Sequence, residues 1–124
     1  MRRKNKHTFK TLETHTLDAT GQSFGRLATQ IARLLQGKHR PEYSPEADPI
    51  IVVNVTHAEA MKITGKKPEQ KIYYRHTGYP GHLKGVSLAH FLKAKPSVII
   101  YKAVENMLPK NRLRSRRLNR LKFI

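Results

Sequence analysis

Cysteine is absent from the chain, which excludes a disulfide framework, a thiolate metal site and a cysteine nucleophile. That absence fits a reducing compartment. Apolar runs stop after four residues, as at Ile50 to Val53, far short of the roughly 20 needed to cross a bilayer, and no apolar stretch follows the basic N-terminus. A soluble, intracellular protein is predicted, with no membrane partner. Acids are also scarce: 8 Asp and Glu stand against 25 Lys and Arg in 124 residues, a formal charge of +17. Such an excess repels itself unless a polyanion binds it.

The cations are concentrated at the two ends. Residues 1–10 hold five and residues 110–124 hold seven, so twelve of the 25 lie in the terminal 25 residues, and neither segment contains an acid. A solubilising surface would intersperse both signs. Basic ends on a moderately charged body suit a protein that follows a nucleic-acid backbone. The chain divides on this pattern into a basic N-terminal extension (1–13), a single α/β domain (14–109) and a basic C-terminal segment (110–124).

Within the body, THTLDA (Thr14 to Ala19) reads as a short strand. In GRLATQIARLLQGK, Leu27, Ile31, Leu34 and Leu35 recur at helical spacing, and Gly37 ends the helix. The prolines of HRPEYSPEADP enforce an extended loop. IIVVNV is a β-branched run of the kind covered on both faces in parallel sheets. A short helical stretch at HAEAMK, a turn at TGKK and a strand at KIYYRHT follow. SLAHFLKAK reads as a helix capped by Ser87, and PSVIIYKAVENML as another with Pro96 near its start and Ile99, Ile100, Ala103, Val104 and Met107 on one face. The order predicts a three-layer α/β sandwich with a small, mostly parallel sheet.

Catalytic signatures are incomplete. GQSFG (21–25) matches the nucleophile elbow G-x-S-x-G, but no histidine is spaced with an acid to complete a triad, so Ser23 is expected in a turn where it helps cap the helix. TGKK lacks the upstream glycine and the hydroxyl residue of a phosphate-binding loop. His76 and His82 are separated by five residues spanning Gly and Pro, with no carboxylate cluster. No catalytic residue, metal, cofactor or small-molecule substrate is expected.

Two segments fit RNA instead. In YYRHTGYPGHLK (73–84) the Gly78 to Gly81 turn exposes backbone N–H groups, Arg75 and Lys84 supply charge, and His76, Thr77, Tyr79 and Gly81 complete the candidate surface. Gly78 to Gly81 is formally the GxxG of KH domains, but that loop joins two helices and this one follows a strand. In PKNRLRSRRLNRLKFI, Leu113, Leu118 and Leu121 can dock the segment while Lys110, Arg112, Arg114, Arg116, Arg117, Arg120 and Lys122 face phosphate. Arginine suits this role because its planar fork grips phosphate bidentately and stacks on bases. A calmodulin-type or membrane-surface helix would need a more aromatic apolar face. Lys38, His39 and Arg40 after the first helix, and Lys66 and Lys67 in TGKK, complete the candidate set.

Four quoted stretches, in order and spacing, carry a resemblance: DATGQSFGRLATQIARLLQGKHRPEYSP, IIVVNV, KITGKKPEQKIYYRHTGYPGHLK and AVENMLPKNRLRSRRLNRLKF. Together they resemble the large-subunit ribosomal protein thirteen family in its bacterial form, over about residues 17 to 122. The pair YYRHTGYPG and MLPKN is the most specific part. His82 stands where a second glycine is common, and Glu105-Asn106 replaces a usual basic-Gly pair. The resemblance implies a three-layer α/β fold and a structural, non-enzymatic role in the large subunit. It implies binding to large-subunit rRNA beside neighbouring ribosomal proteins, and an early part in assembly. The expected setting is the cytoplasmic ribosome, an organellar ribosome being the other.

Overall fold

Alternation, not the apolar run alone, decides how the central strand is used. A computed structural model describes residues 12–41, 43–45, 48–63, 70–76, 78, 80–81 and 83–124. Strand β1 (Glu13–Asp18) lies parallel to β2 (Ile51–Thr56), and β2 lies parallel to β5 (Leu121–Phe123), giving the order β1-β2-β5. The register sets His15 beside Val53 beside Leu121, and Leu17 beside Val55 beside Phe123. Side chains of one register row share a face, so this face gathers the apolar residues. Ile51, Val53, Val55 and Leu121 are buried there. Val52, Asn54 and Thr56 on the other face are half-exposed beside exposed Thr14, Thr16 and Lys122. Equal burial of both faces was expected from IIVVNV; the polar neighbours on β1 and β5 leave one face wetter.

Helix α1 (Phe24–Gln36) links β1 to β2 and buries Phe24, Leu27, Ala28, Ile31, Ala32 and Leu35. Each fully buried Leu or Ile contributes about 1.5–3 kcal/mol relative to exposure. Its end is a Schellman turn, in which Gly37 N–H donates to the Leu34 carbonyl (3.0 Å) and Lys38 N–H to that of Arg33 (3.1 Å). Gly37 is required twice over. Its φ is +76°, and a Cβ there would lie 2.8 Å from Cγ of buried Pro49. Ser23 precedes the helix without capping it through its hydroxyl, contrary to expectation. Its backbone instead bridges to Lys62, whose carbonyl accepts from Phe24 N–H at 3.3 Å.

After a 3₁₀ turn at Ala58–Ala60, β3 (Ile72–His76) and β4 (Leu83–Ser87) form a separate antiparallel hairpin. The strand β4 was not anticipated, because LKGVS lacks strong alternation. Helix α2 (Leu88–Ala94) starts as expected, with the Ser87 hydroxyl accepting from His90 N–H (3.4 Å). Helix α3 (Pro96–Met107) has proline in its first turn, buries Ile99, Ile100 and Val104, and packs against α1. Met107 is not on the core face but exposed, its sulfur accepting from the Thr29 hydroxyl at 3.6 Å. Helix α4 (Leu113–Asn119) then returns the chain to β5. The C-terminal segment is therefore part of the domain, with Leu118 and Leu121 in its core. No helix of the described residues is long and apolar enough to cross a membrane.

Candidate nucleic-acid interface

The hairpin register places Arg75 directly opposite Lys84 and Tyr74 opposite Gly85. Like charges facing each other across a ladder disfavour the pairing, by up to about 1 kcal/mol, unless an anion lies between them. Both cations are exposed. The turn beyond them holds Gly78 at φ +88° and Gly81 at φ +78°, left-handed conformations that favour glycine. Lys66, Lys67, Thr77, Tyr79 and the His76 side chain lie outside the described residues.

Alternation splits the two adjacent tyrosines. Tyr73 faces inward, edge-on to Phe91 with ring centroids 5.4 Å apart, and Lys71 and Lys102 each lie 5.6 Å from its ring centroid. Burial raises its phenol pKa. Tyr74 faces out, 65% exposed. A Cβ on Gly85 would come within 3.3 Å of the Tyr74 ring and 2.9 Å of Ile72, so the missing side chain opposite makes room for the ring. The sequence reading omitted Tyr74; its alternation with Tyr73 and the facing glycine were the available signals.

Behind the Gly37 turn the three cationic candidates separate. Lys38 is exposed, with its ammonium 5.9 Å from the Tyr43 ring centroid. His39 and Arg40 turn inward to Glu13, whose Oε1 meets His39 Nε2 at 2.9 Å and whose Oε2 accepts from Arg40 Nη2. His15 Nε2 contacts the same Oε1. The Arg40 hydrogen bond, helped by those to His39 and His15 and opposed by desolvation, lowers the Glu13 pKa to about 2. His39 and Arg40 thus engage Glu13, and Lys38 is the exposed cation of the GKHR loop.

A second scarce acid reorganises the C-terminal arm. Arg117 is only 2% exposed, with Nε 3.8 Å from Asp48 Oδ1. Arg120 reaches both oxygens of Asp48, Nη1 donating to Oδ2 at 3.3 Å and Nη2 to Oδ1. Burial lowers the Arg117 pKa and Asp48 opposes that shift. The expectation that seven cations face outward is corrected here. Arg117 follows Leu113 by one helical turn, so its stem lies along the inner face of α4. Lys110, Arg112, Arg116 and Lys122 are exposed and Arg114 is half-exposed. None of these five forms an ion pair among the described residues.

Carboxylates are therefore distributed unevenly. Glu13 and Asp48 engage Arg40, Arg117 and Arg120, whereas no acid occurs between Glu69 and Glu105 or after Glu105. The hairpin and the exposed side of the arm keep their positive charge. Within GQSFG only Gly21 lies in a turn; Ser23 sits in the bridge to Lys62, and Phe24 and Gly25 open α1.

The family described as Ribosomal protein L13 matches residues 12–123. The chain is 50% identical over 111 residues to the large ribosomal subunit protein uL13 of Roseiflexus sp. (strain RS-1), covering 90% of this chain and 76% of that protein. The protein of the same description from Aquifex aeolicus (strain VF5) is 52% identical over 106 residues, covering 86% and 74%. That from Methylococcus capsulatus is 46% identical over 108 residues, covering 87% and 76%.

Proposed function

Because the chain belongs to the Ribosomal protein L13 family, whose members are structural and non-enzymatic, we propose that it binds large-subunit rRNA as a rigid clamp between RNA segments. It is a structural constituent of the large ribosomal subunit and works in translation without catalysing a reaction. The observation that carries the RNA reading is the facing pair Arg75 and Lys84, set against a glycine turn and free of any acid partner among the described residues. Exposed Tyr74 adds a stacking surface, worth about 1–3 kcal/mol per unstacked base.

Two basic regions on one folded body raise effective concentration, because binding at the first makes binding at the second intramolecular. Joining RNA segments in this way supports an early role in subunit assembly, beside neighbouring ribosomal proteins. Lys66, Lys67, Thr77 and Tyr79 belong to the same proposed surface on sequence grounds, and Lys38 extends it.

Binding to purified large-subunit rRNA across a salt series, with excess tRNA as competitor, tests the reading. Binding that survives tRNA and weakens in Arg75→Ala and Lys84→Ala is the expected result. Binding erased by tRNA, or wild-type affinity and salt slope in both variants, would overturn it.

A further inference from the structure

We propose that Glu13, His15 and His39 form a site for a zinc-type dication, with Glu13 Oε1 and the Nε2 atoms of both histidines as ligands. Glu13 and His15 are two apart on β1, so their side chains leave the same face of the sheet. His39 is brought to them by the Gly37 turn that ends α1. One donor atom from each residue lies within 4.8 Å of the other two. Zinc at about 2.0–2.1 Å from each tetrahedral ligand sets those ligands roughly 3.3 Å apart, a spacing this cluster brackets.

The two carboxylate oxygens are already divided between roles. Oε1 faces the histidines, and Oε2 accepts from Arg40. That is the arrangement of a monodentate ligand oriented by an outer hydrogen-bond donor. Two imidazoles and one carboxylate suit zinc over magnesium or calcium, which prefer all-oxygen sets. An open cleft of about 420 Å³, lined by His15, Leu17, Gln30, Arg33, Leu34 and His39, supplies an entry path and room for a water as fourth ligand. Leu17 and Leu34 make its floor apolar, which strengthens ion–ligand attraction. The positive charge of Arg40 and Arg33 works against the ion, so the site is moderate in affinity.

The test uses the full chain stripped with chelator, titrated with Zn²⁺ against a chromophoric competitor and with Co²⁺ by visible absorption. One equivalent should bind, cobalt should give the intense bands of a four-coordinate ion, and Zn²⁺ should raise the thermal midpoint. His15→Gln and His39→Gln should each weaken binding at least about tenfold, a loss comparable to or beyond that of outer-shell changes. His90→Gln, away from the cluster, should leave it intact. Absence of binding above the competitor, or equal binding in all variants, would overturn the proposal. Should either variant fail to fold, the imidazole nitrogen resonances of the wild-type chain decide: Zn²⁺ must shift those of His15 and His39, and shifts confined to other histidines would refute the site.

Discussion

The β3–β4 hairpin and the C-terminal arm carry the same cationic chemistry but use it differently. In the hairpin, Arg75 and Lys84 face each other with no carboxylate partner among the described residues. In the arm, Arg117 and Arg120 converge on Asp48, and the remaining cations point out. The difference teaches that a basic run is not one functional unit. Where an acid can be brought into range, some of its cations become structural, and only the rest are available to phosphate.

The largest effect should come from breaking the arm's internal half. Asp48→Ala removes the carboxylate that Arg117 and Arg120 share and is expected to cost about 3 kcal/mol in urea denaturation, the low end for breaking a buried pair. Arg117→Met, which removes the charge but keeps volume, should cost far less and leave rRNA affinity near wild type. Equal stability of the two variants would mean that Asp48 is dispensable to the arm. Next in size, replacing Arg112, Arg114 and Arg116 together should lower the magnitude of the salt slope for rRNA binding by roughly 2 to 3, from about 0.7–0.9 per phosphate contact. An unchanged slope would assign these arginines to solvent or protein. Smaller again, Arg75→Ala alone should lower it by about 0.7–0.9, with the unfolding midpoint unchanged or raised by relief of the facing Lys84. A loss of stability there would make the hairpin cations structural like those of the arm.

The last effect is read on a different axis, pH, and concerns Glu13. Its folded-state pKa of about 2 lies below the usual 4.5, so the folded chain keeps the carboxylate charged where the unfolded chain takes up a proton. The stabilisation is complete above about pH 4.5 and drains away as pH falls toward 2. Glu13→Gln should flatten the loss of stability in that window, read by denaturation at a series of pH values. An unaltered pH profile would show that Arg40, His39 and His15 do not hold the carboxylate.

Most of the fold was legible because local pattern and tertiary demand agree. The helical spacing of Leu27, Ile31 and Leu35, the stop at Gly37, the cap at Ser87 and the proline opening α3 all act within a few residues of chain. Elements that depend on distant partners were harder to see. LKGVS is a strand because KIYYRHT lies beside it, and LKF is a strand because β2 offers a free edge. Of the candidate interface, the hairpin cations and the alternation of Tyr73 with Tyr74 were visible in the sequence, whereas which tyrosine faces out, opposite Gly85, was decided by the register.

By itself, the sequence determined an acid-poor, cysteine-free α/β chain with basic ends, a glycine turn between two cations, and membership of its family. Composition and short-range spacing suffice for such features, because charge balance and helix periodicity need no knowledge of distant contacts. Only the tertiary structure decided which arginines remain outside. Asp48 is reached by Arg117 and Arg120 across about 70 residues of chain, and Glu13 by Arg40 across 27. An ion pair forms where folding closes such a distance, and charge along the chain carries no record of it.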